Sequence, residues 1–237
     1  MVKYMIGDIM NNHFKNLLKE AGLDITNRQL EQFETYFKLL VEWNEKLNLT
    51  AITDLEGVYV KHFYDSVSLV QAMEINDQTL LDVGSGAGFP SIPLKIMFPN
   101  LKVTIIDALQ KRIKFLEVLV KELDLDVTLI HGRAEEFKKK HCFDVVTGRA
   151  VANLTMLSEL CIPFVKVGGY FLSMKGSKAL EEMKQAEAAV KLLGAEFETH
   201  FKYELMDQER YILKYKKVFK TKPKYPRRFN QIKSNPL

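Results

Sequence analysis

Leu80-Leu81-Asp82-Val83-Gly84-Ser85-Gly86-Ala87-Gly88-Phe89-Pro90 reads as an apolar strand that runs into a glycine-rich turn and then a helix. Glycines in such a turn let the backbone take positive φ angles and let a ligand come closer than any Cβ would permit. Pro90 suits the first helical turn, where its missing N–H is not needed. Spacing separates the ligands that use such a turn. The nicotinamide fingerprint G-x-G-x-x-G, aligned on Gly84 and Gly86, wants a small residue where this chain has Phe89. The pattern instead is D-x-G-x-G-x-G, with Asp82 two residues ahead of the first glycine.

Outward from this turn, short apolar runs alternate with helical patterns from Gln78 onward. That βαβ rhythm implies an α/β fold, a mostly parallel sheet with helices on both faces. The patterning predicts strands over 79–83, 102–107, 127–130, 143–147, 168–174, 196–203 and 209–217. Helices are expected over 90–98, 110–124, 134–140, 153–165 and 178–193. No helix separates the last two strands, so they pair as an antiparallel hairpin at one end of a seven-stranded sheet. Ahead of it, residues 8–75 read as a helical subdomain, with Phe14, Leu17, Leu18 and then Phe33, Phe37, Leu40, Val41 at helical spacing. Thr26-Asn27 and Thr53-Asp54 mark helix starts and Gly22 a helix end.

Doubly wound sheets bind ligands beyond the carboxyl ends of their strands. Asp107 ends the second strand, 25 residues after Asp82, where a carboxylate can accept two hydrogen bonds from adjacent ribose hydroxyls. The plainer reading is a helix cap. His131-Gly132-Arg133-Ala134-Glu135 follows the third strand at the same edge, placed to flank an adenine. Gly148-Arg149-Ala150 follows the fourth. An arginine in that crevice calls for an anion beside it, a cofactor carboxylate or an RNA phosphate, unless it forms a surface ion pair.

The 237 residues hold 34 Lys or Arg and 30 Asp or Glu, unevenly spread. Ten of the basic residues and none of the acidic ones lie between Arg210 and Leu237, which leaves residues 1–209 with a net of −6. Basic residues interleaved with Tyr215, Phe219, Tyr225 and Phe229 suit phosphates and stacked bases, although a solvated tail is the plainer reading. Hydrophobic content of 47% excludes a disordered chain. No apolar run approaches the roughly 20 residues of a membrane span, and the N-terminus lacks a secretory signal, so a cytoplasmic location is expected. Cys142 and Cys161 lack zinc or redox spacing, and no metal is expected. The organisation expected is an N-terminal helical subdomain at 1–75, a cofactor-binding domain at 76–217 and a basic C-terminal tail at 218–237.

The D-x-G-x-G-x-G turn is similar to the cofactor loop of the Rossmann-like class I methyltransferases, which wraps the methionine part of S-adenosylmethionine. With Phe143 to Ala150, Trp43 to Thr50, His62-Phe63-Tyr64-Asp65-Ser66 and Tyr225-Pro226-Arg227-Arg228, residues 10–237 closely resemble one family. It is that of the bacterial small-subunit ribosomal RNA guanine-N7 methyltransferases, also called glucose-inhibited division protein B. The resemblance implies methyl transfer from S-adenosylmethionine to N7 of one guanine in 16S rRNA, with the RNA or the 30S subunit as partner. It puts cofactor contacts on Gly84, Phe89, Ala134, Glu135 and Arg149, beside Asp82, Gly86 and Asp107 from the strand pattern. Lys222, Lys224, Arg227 and Arg228 are the RNA-binding candidates. Asn48, His62, Asp65 and Ser66, polar groups among apolar neighbours, are candidates for the guanine pocket. Trp43 and Leu47, four apart on one helix face, read as core.

Guanine N7 carries an available lone pair, so its methylation needs no general base and no covalent nucleophile. Two absences agree with a ring-nitrogen target. There is no Pro-Cys pair of the kind that attacks pyrimidine carbon 5, and Thr147-Gly148-Arg149-Ala150 replaces the (Asp/Asn)-Pro-Pro-(Tyr/Phe) motif of adenine amino methyltransferases. The alternatives are a nicotinamide oxidoreductase, a non-enzymatic RNA-binding module, and a methyltransferase acting on another RNA, a protein or a small molecule.

Overall fold

The computed structural model describes residues 2–149 and 152–237; Ala150 of the loop motif after the fourth strand lies outside them. Helix α1 (Val2–Glu20) packs on α2 (Asn27–Leu47), with Phe14 edge-on to Phe33 at 5.0 Å. Thr26 starts α2 through a capping box. Its hydroxyl accepts from Gln29 N, and the Gln29 side chain accepts from Thr26 N. The buried stripe of α2 is Leu30, Phe33, Tyr36 and Leu40. Asp54 caps α3 (Leu55–Val58) by accepting from Gly57 N at 2.7 Å. The chain then runs through a π-helical turn, Tyr59–Tyr64, into α4 (Asp65–Val67).

The sheet follows the expected α/β plan. Strands β1 (Thr79–Val83), β2 (Lys102–Asp107), β3 (Val127–His131), β4 (Phe143–Arg149) and β5 (Val165–Lys175) are parallel. The hairpin β6 (Ala195–Leu205) and β7 (Gln208–Lys217) completes the order β3-β2-β1-β4-β5-β7-β6, with β7 antiparallel to β5. Strand order reverses between β1 and β4, the switch point where such sheets hold ligands. Helices α5 (Ser91–Met97), α6 (Gln110–Glu122), α7 (Leu154–Cys161) and α8 (Ala179–Leu192) cover the faces.

Alternation along the strands sorts the core. Leu80, Ile105 and Val145 pack with Phe14, Phe33, Tyr36 and Phe115 on one face, while Leu81, Ile106 and Val146 pack with Leu157, Leu160 and Val190 on the other. The N-terminal helices therefore share one apolar core with the sheet. Each buried Leu or Phe there contributes about 1.5–3 kcal/mol.

Three expectations need correction. The helix expected over 134–140 is a single 3₁₀ turn, Ala134–Glu136, because Phe137 turns extended and packs near Phe164 at 5.7 Å, drawing the chain off the helical path. The helix expected over 153–165 ends at Cys161. Pro163 lacks the N–H needed to continue it, and Ile162–Phe164 tightens into a 3₁₀ turn before β5.

The third correction concerns the segment after β7, which is not a free tail. Tyr225 and Ile232 are buried in the same apolar core as α7 and α8, and α9 (Phe229–Ser234) ends the fold. Lys217 is itself 1% exposed, with Nζ donating to Ile162 O and Leu193 O at two helix ends. Burial lowers its pKa to about 7.

Candidate active site

The glycine turn is built as its sequence requires. Gly84, Gly86 and Gly88 take φ of 74°, 63° and 102°, and Gly84 N donates to Ile106 O at 2.8 Å, tying the turn to β2. A Cβ on Gly88 would lie 2.8 Å from Tyr36 Oη and 2.7 Å from Ile92 Cγ1, so this glycine lets α2 and α5 close on the loop. At Gly86 a Cβ would meet none of the described residues within 4 Å. That open side is where a ligand can lie against the backbone. Phe89 is buried, stacked on Tyr36 at 5.5 Å and on His62 at 4.5 Å. Its ring is taken up by these contacts, which hold the loop in place.

Asp82 is wholly buried beneath the turn. Its Oδ2 accepts from Ser91 N at 3.3 Å, Oδ1 has no partner among the described residues, and burial raises its pKa to about 7. Ser85 Oγ is likewise buried and unpartnered. Asp107 accepts from Leu109 N at 2.9 Å and from Gly86 N and Arg112 Nη1 at 3.3 Å, so its carboxylate joins the turn to the end of β2. It does not occupy the N-cap position of α6, which falls on Leu109. Ala134 is buried at the 3₁₀ turn after β3, and Glu135 Oε1 accepts from Phe229 N at 3.1 Å. An unpartnered carboxylate oxygen, an unpartnered hydroxyl and a backbone open at Gly86 fit a polar ligand laid over the β1–α5 turn, with Asp107 at one side.

Beyond the end of β4 the structure gathers what sequence spacing left scattered. Arg149 Nη1 donates to Asp65 Oδ2 at 2.9 Å and Nη2 to His62 Nδ1 at 2.9 Å, with the guanidinium carbon 4.9 Å from the Phe89 ring centre. The anion that Arg149 calls for is thus supplied by the chain itself, and the pair is mostly buried rather than on the surface. A guanidinium only donates, so Nδ1 of His62 accepts and its Nε2–H faces Thr50 Oγ1 at 2.8 Å. Burial first, then Arg149, lowers the His62 pKa to about 3 and keeps the ring neutral.

Two other pocket candidates are displaced. Ser66 is buried with Oγ donating to the His62 carbonyl at 2.5 Å, a bond within the helix. Asn48 is exposed at φ 49°, the left-handed cap of α2, a backbone position that asparagine tolerates, and it does not line the cavity. Trp43 is half-buried and packs on Phe115 at 5.8 Å.

The cavity holds about 570 Å³ and is lined by His62, Asp65, Arg149, Lys175, Tyr203 and Arg210, among others. Tyr203 and Arg210 escaped the sequence reading. Tyr203 Oη donates to Asp65 Oδ1 at 2.8 Å, and Arg210 Nε stands 3.9 Å from the same oxygen. They are register partners across the β6–β7 hairpin, so counting back from the Met206-Asp207 turn pairs them. Lys175 pairs with Glu182 at 2.8 Å.

On the C-terminal segment, Lys222, Lys224 and Arg228 are exposed. Arg227 is not available as they are. It forks Glu159, with Nε at 2.8 Å and Nη2 at 2.6 Å from a carboxylate that is itself fully buried.

Comparison with known proteins agrees with this geometry. The model of the GidB family, rRNA small subunit methyltransferase G, matches residues 29–212. The chain is 54% identical over 223 residues to a ribosomal RNA small subunit methyltransferase G of Bacillus cytotoxicus, covering 91% of this chain and 93% of that one. It is 52% identical to its namesake from Bacillus cereus over the same shares. Among solved structures, M. jannaschii TYW2 in complex with AdoMet superposes with a TM-score of 0.54 at 15% identity, over 65% of this chain and 77% of that one, a likeness of fold. The chain belongs to the GidB family of rRNA small subunit methyltransferases G and is a methyltransferase on a Rossmann-like fold.

Proposed function

We propose that this protein transfers the methyl group of S-adenosylmethionine to N7 of a specific guanine in 16S rRNA, working in the cytoplasm on the RNA or the 30S subunit. S-Adenosylmethionine supplies an electrophilic methyl group on a sulfonium. Asp82, Gly84, Gly86 and Asp107 would hold it, with Ala134 and Glu135 at the β3 side and Arg149 at the β4 side.

The observation that carries this reading is the chemistry of the cavity beside the glycine turn. Its acidic and imidazole groups are tied to partners, Glu182 to Lys175 and to the Leu154 amide. His62 is neutral, with one ring nitrogen accepting from Arg149 and the other facing Thr50. Asp65 is held by Arg149 and Tyr203. Burial holds the hydroxyl of Tyr203 protonated. A nucleophile that needs no base suits such a site, and guanine N7 is one. What remains is alignment, which contributes about 7–11 kcal/mol at best. The cation pair Arg149 and Arg210 suits O6 of the base, since N7 has to stay free.

The test is methyl transfer from labelled S-adenosylmethionine to 16S RNA and to 30S subunits, followed by nucleoside analysis. N7-methylguanosine is the expected product. Label on a pyrimidine carbon or an adenine amino group would overturn the reading.

A further inference from the structure

We propose that the cavity of about 550 Å³ between the loop after β3 and the start of α9 is a second nucleotide cradle, holding a phosphate and a stacked base of single-stranded RNA beside the target guanine. The inference rests on the rRNA reading above.

Arg133 and Arg228 bring two exposed guanidiniums to this cavity from distant parts of the chain. Their planar forks match phosphate oxygens. Phe229, half-buried, follows Arg228 directly in the chain, and the Arg133 guanidinium carbon stands 5.5 Å from its ring centre. A ring that already takes a flat cation is a platform for a flat base. Glu136 and the amide of Asn230 add hydrogen-bonding groups for a base edge. Cations, an aromatic face and edge-reading groups together describe a nucleotide, where a bare anion site would need only the cations.

The cradle is preformed. Phe229 N is held by Glu135, Arg227 is locked to Glu159, and Tyr225 and Ile232 are sunk in the core on either side. Binding there costs little ordering. Its place also fits. The β3 and β4 ends lie at one edge of the sheet with the glycine turn between them, so a strand whose guanine sits beside Arg149 can pass its neighbours toward Arg133.

Full-length R133Q, R228Q and F229L chains are compared with wild type for binding a short single-stranded RNA across a potassium chloride series, and for the KM of S-adenosylmethionine. F229L keeps apolar volume, and thermal unfolding checks that it folds. The expected result is a salt slope lower by about one for each arginine variant. F229L should weaken binding on the order of tenfold, and the KM for S-adenosylmethionine should stay unchanged. Wild-type slopes and affinities in all three variants would overturn the cradle. So would a raised KM for S-adenosylmethionine with RNA binding intact, which would give the cavity to the cofactor. Methyl transfer by wild type to 16S RNA is followed in parallel. Its absence sinks the rRNA reading, while the binding series still decides the cradle.

Discussion

Arg149 Nη1 stands 2.9 Å from Asp65 Oδ2, an ion pair that joins the end of β4 to the start of α4 across 84 residues of sequence. The π-helical turn ahead of α4 sets this register, carrying His62 and Asp65 to the same guanidinium. The pair connects the N-terminal helices to the sheet at the place where methyl transfer is proposed.

Asp65→Asn keeps the shape and removes the charge, leaving Arg149 without its anion. Stripping one partner from a buried pair costs about 3–5 kcal/mol, and residual solvent contact at Arg149 lowers the expectation to about 2 kcal/mol. Urea unfolding of D65N, R149Q and the double variant measures it. The double variant should be less destabilised than the sum of the two singles; strict additivity would show that the contact carries no coupling.

Two buried groups give stability opposite pH dependences. His62, lowered to about 3, is protonated in the unfolded chain but not in the folded one between about pH 3 and 6.5, so it makes stability rise with pH across that window. Asp82, raised to about 7, keeps a proton in the folded chain that the unfolded chain releases between about pH 4 and 7, so it makes stability fall with pH there. In wild type these two contributions oppose each other between about pH 4.5 and 6.5. H62Q should lose stability as pH rises, and D82N should gain it, each on the order of 1 kcal/mol per pH unit. Denaturant midpoints across that range decide, and parallel curves for the three proteins would refute the opposition.

Removing residues 218–237 is a poor probe of RNA binding, because it also strips Tyr225 and Ile232 from the core. Point variants separate the roles. K222Q/K224Q should leave unfolding unchanged and lower the RNA salt slope by about two. R227A leaves the buried Glu159 carboxylate without its guanidinium, keeping only the bond from the residue 227 amide, and should cost about 3 kcal/mol. If R227A alters the salt slope without changing stability, Arg227 faces RNA after all.

Much of this was legible in the sequence. Strand positions followed from period-two and buried apolar runs, and the β6–β7 hairpin followed from the missing helix between them. Asp82, the glycines and Asp107 meet at one turn, a convergence legible because their spacing is local. What failed was long-range or ambiguous. Arg149 called for an anion, but no local pattern says that Asp65 provides it. Asn48 and Ser66 looked like site residues because polar groups among apolar neighbours stand out, yet one serves a left-handed cap and the other a helix carbonyl. Basic composition made residues 218–237 look like a tail, while Tyr225 and Ile232, which dock it, are too sparse to show a period.

The glycine turn permits the sharpest separation of fold from ligand binding. Gly86 and Gly88 both take positive φ, so alanine at either carries backbone strain of about 1 kcal/mol. Their surroundings differ. At Gly88 the added methyl would press on Tyr36 Oη and Ile92, and Tyr36 Oη is fixed by its bond to Ala87 O at 2.5 Å, so neither neighbour can yield without moving α2 or α5. G88A should therefore cost a further 1–3 kcal/mol of overpacking, roughly, and lower the unfolding midpoint. At Gly86 the methyl would meet none of the described residues, so G86A should be destabilised only by that backbone strain of about 1 kcal/mol. That side of the turn is where S-adenosylmethionine is proposed to lie against the backbone, so G86A should bind it at least tenfold more weakly, since tenfold corresponds to only about 1.4 kcal/mol. Calorimetric titration with S-adenosylhomocysteine beside thermal unfolding reads both quantities. A G86A chain that binds like wild type would move the cofactor off this face of the turn.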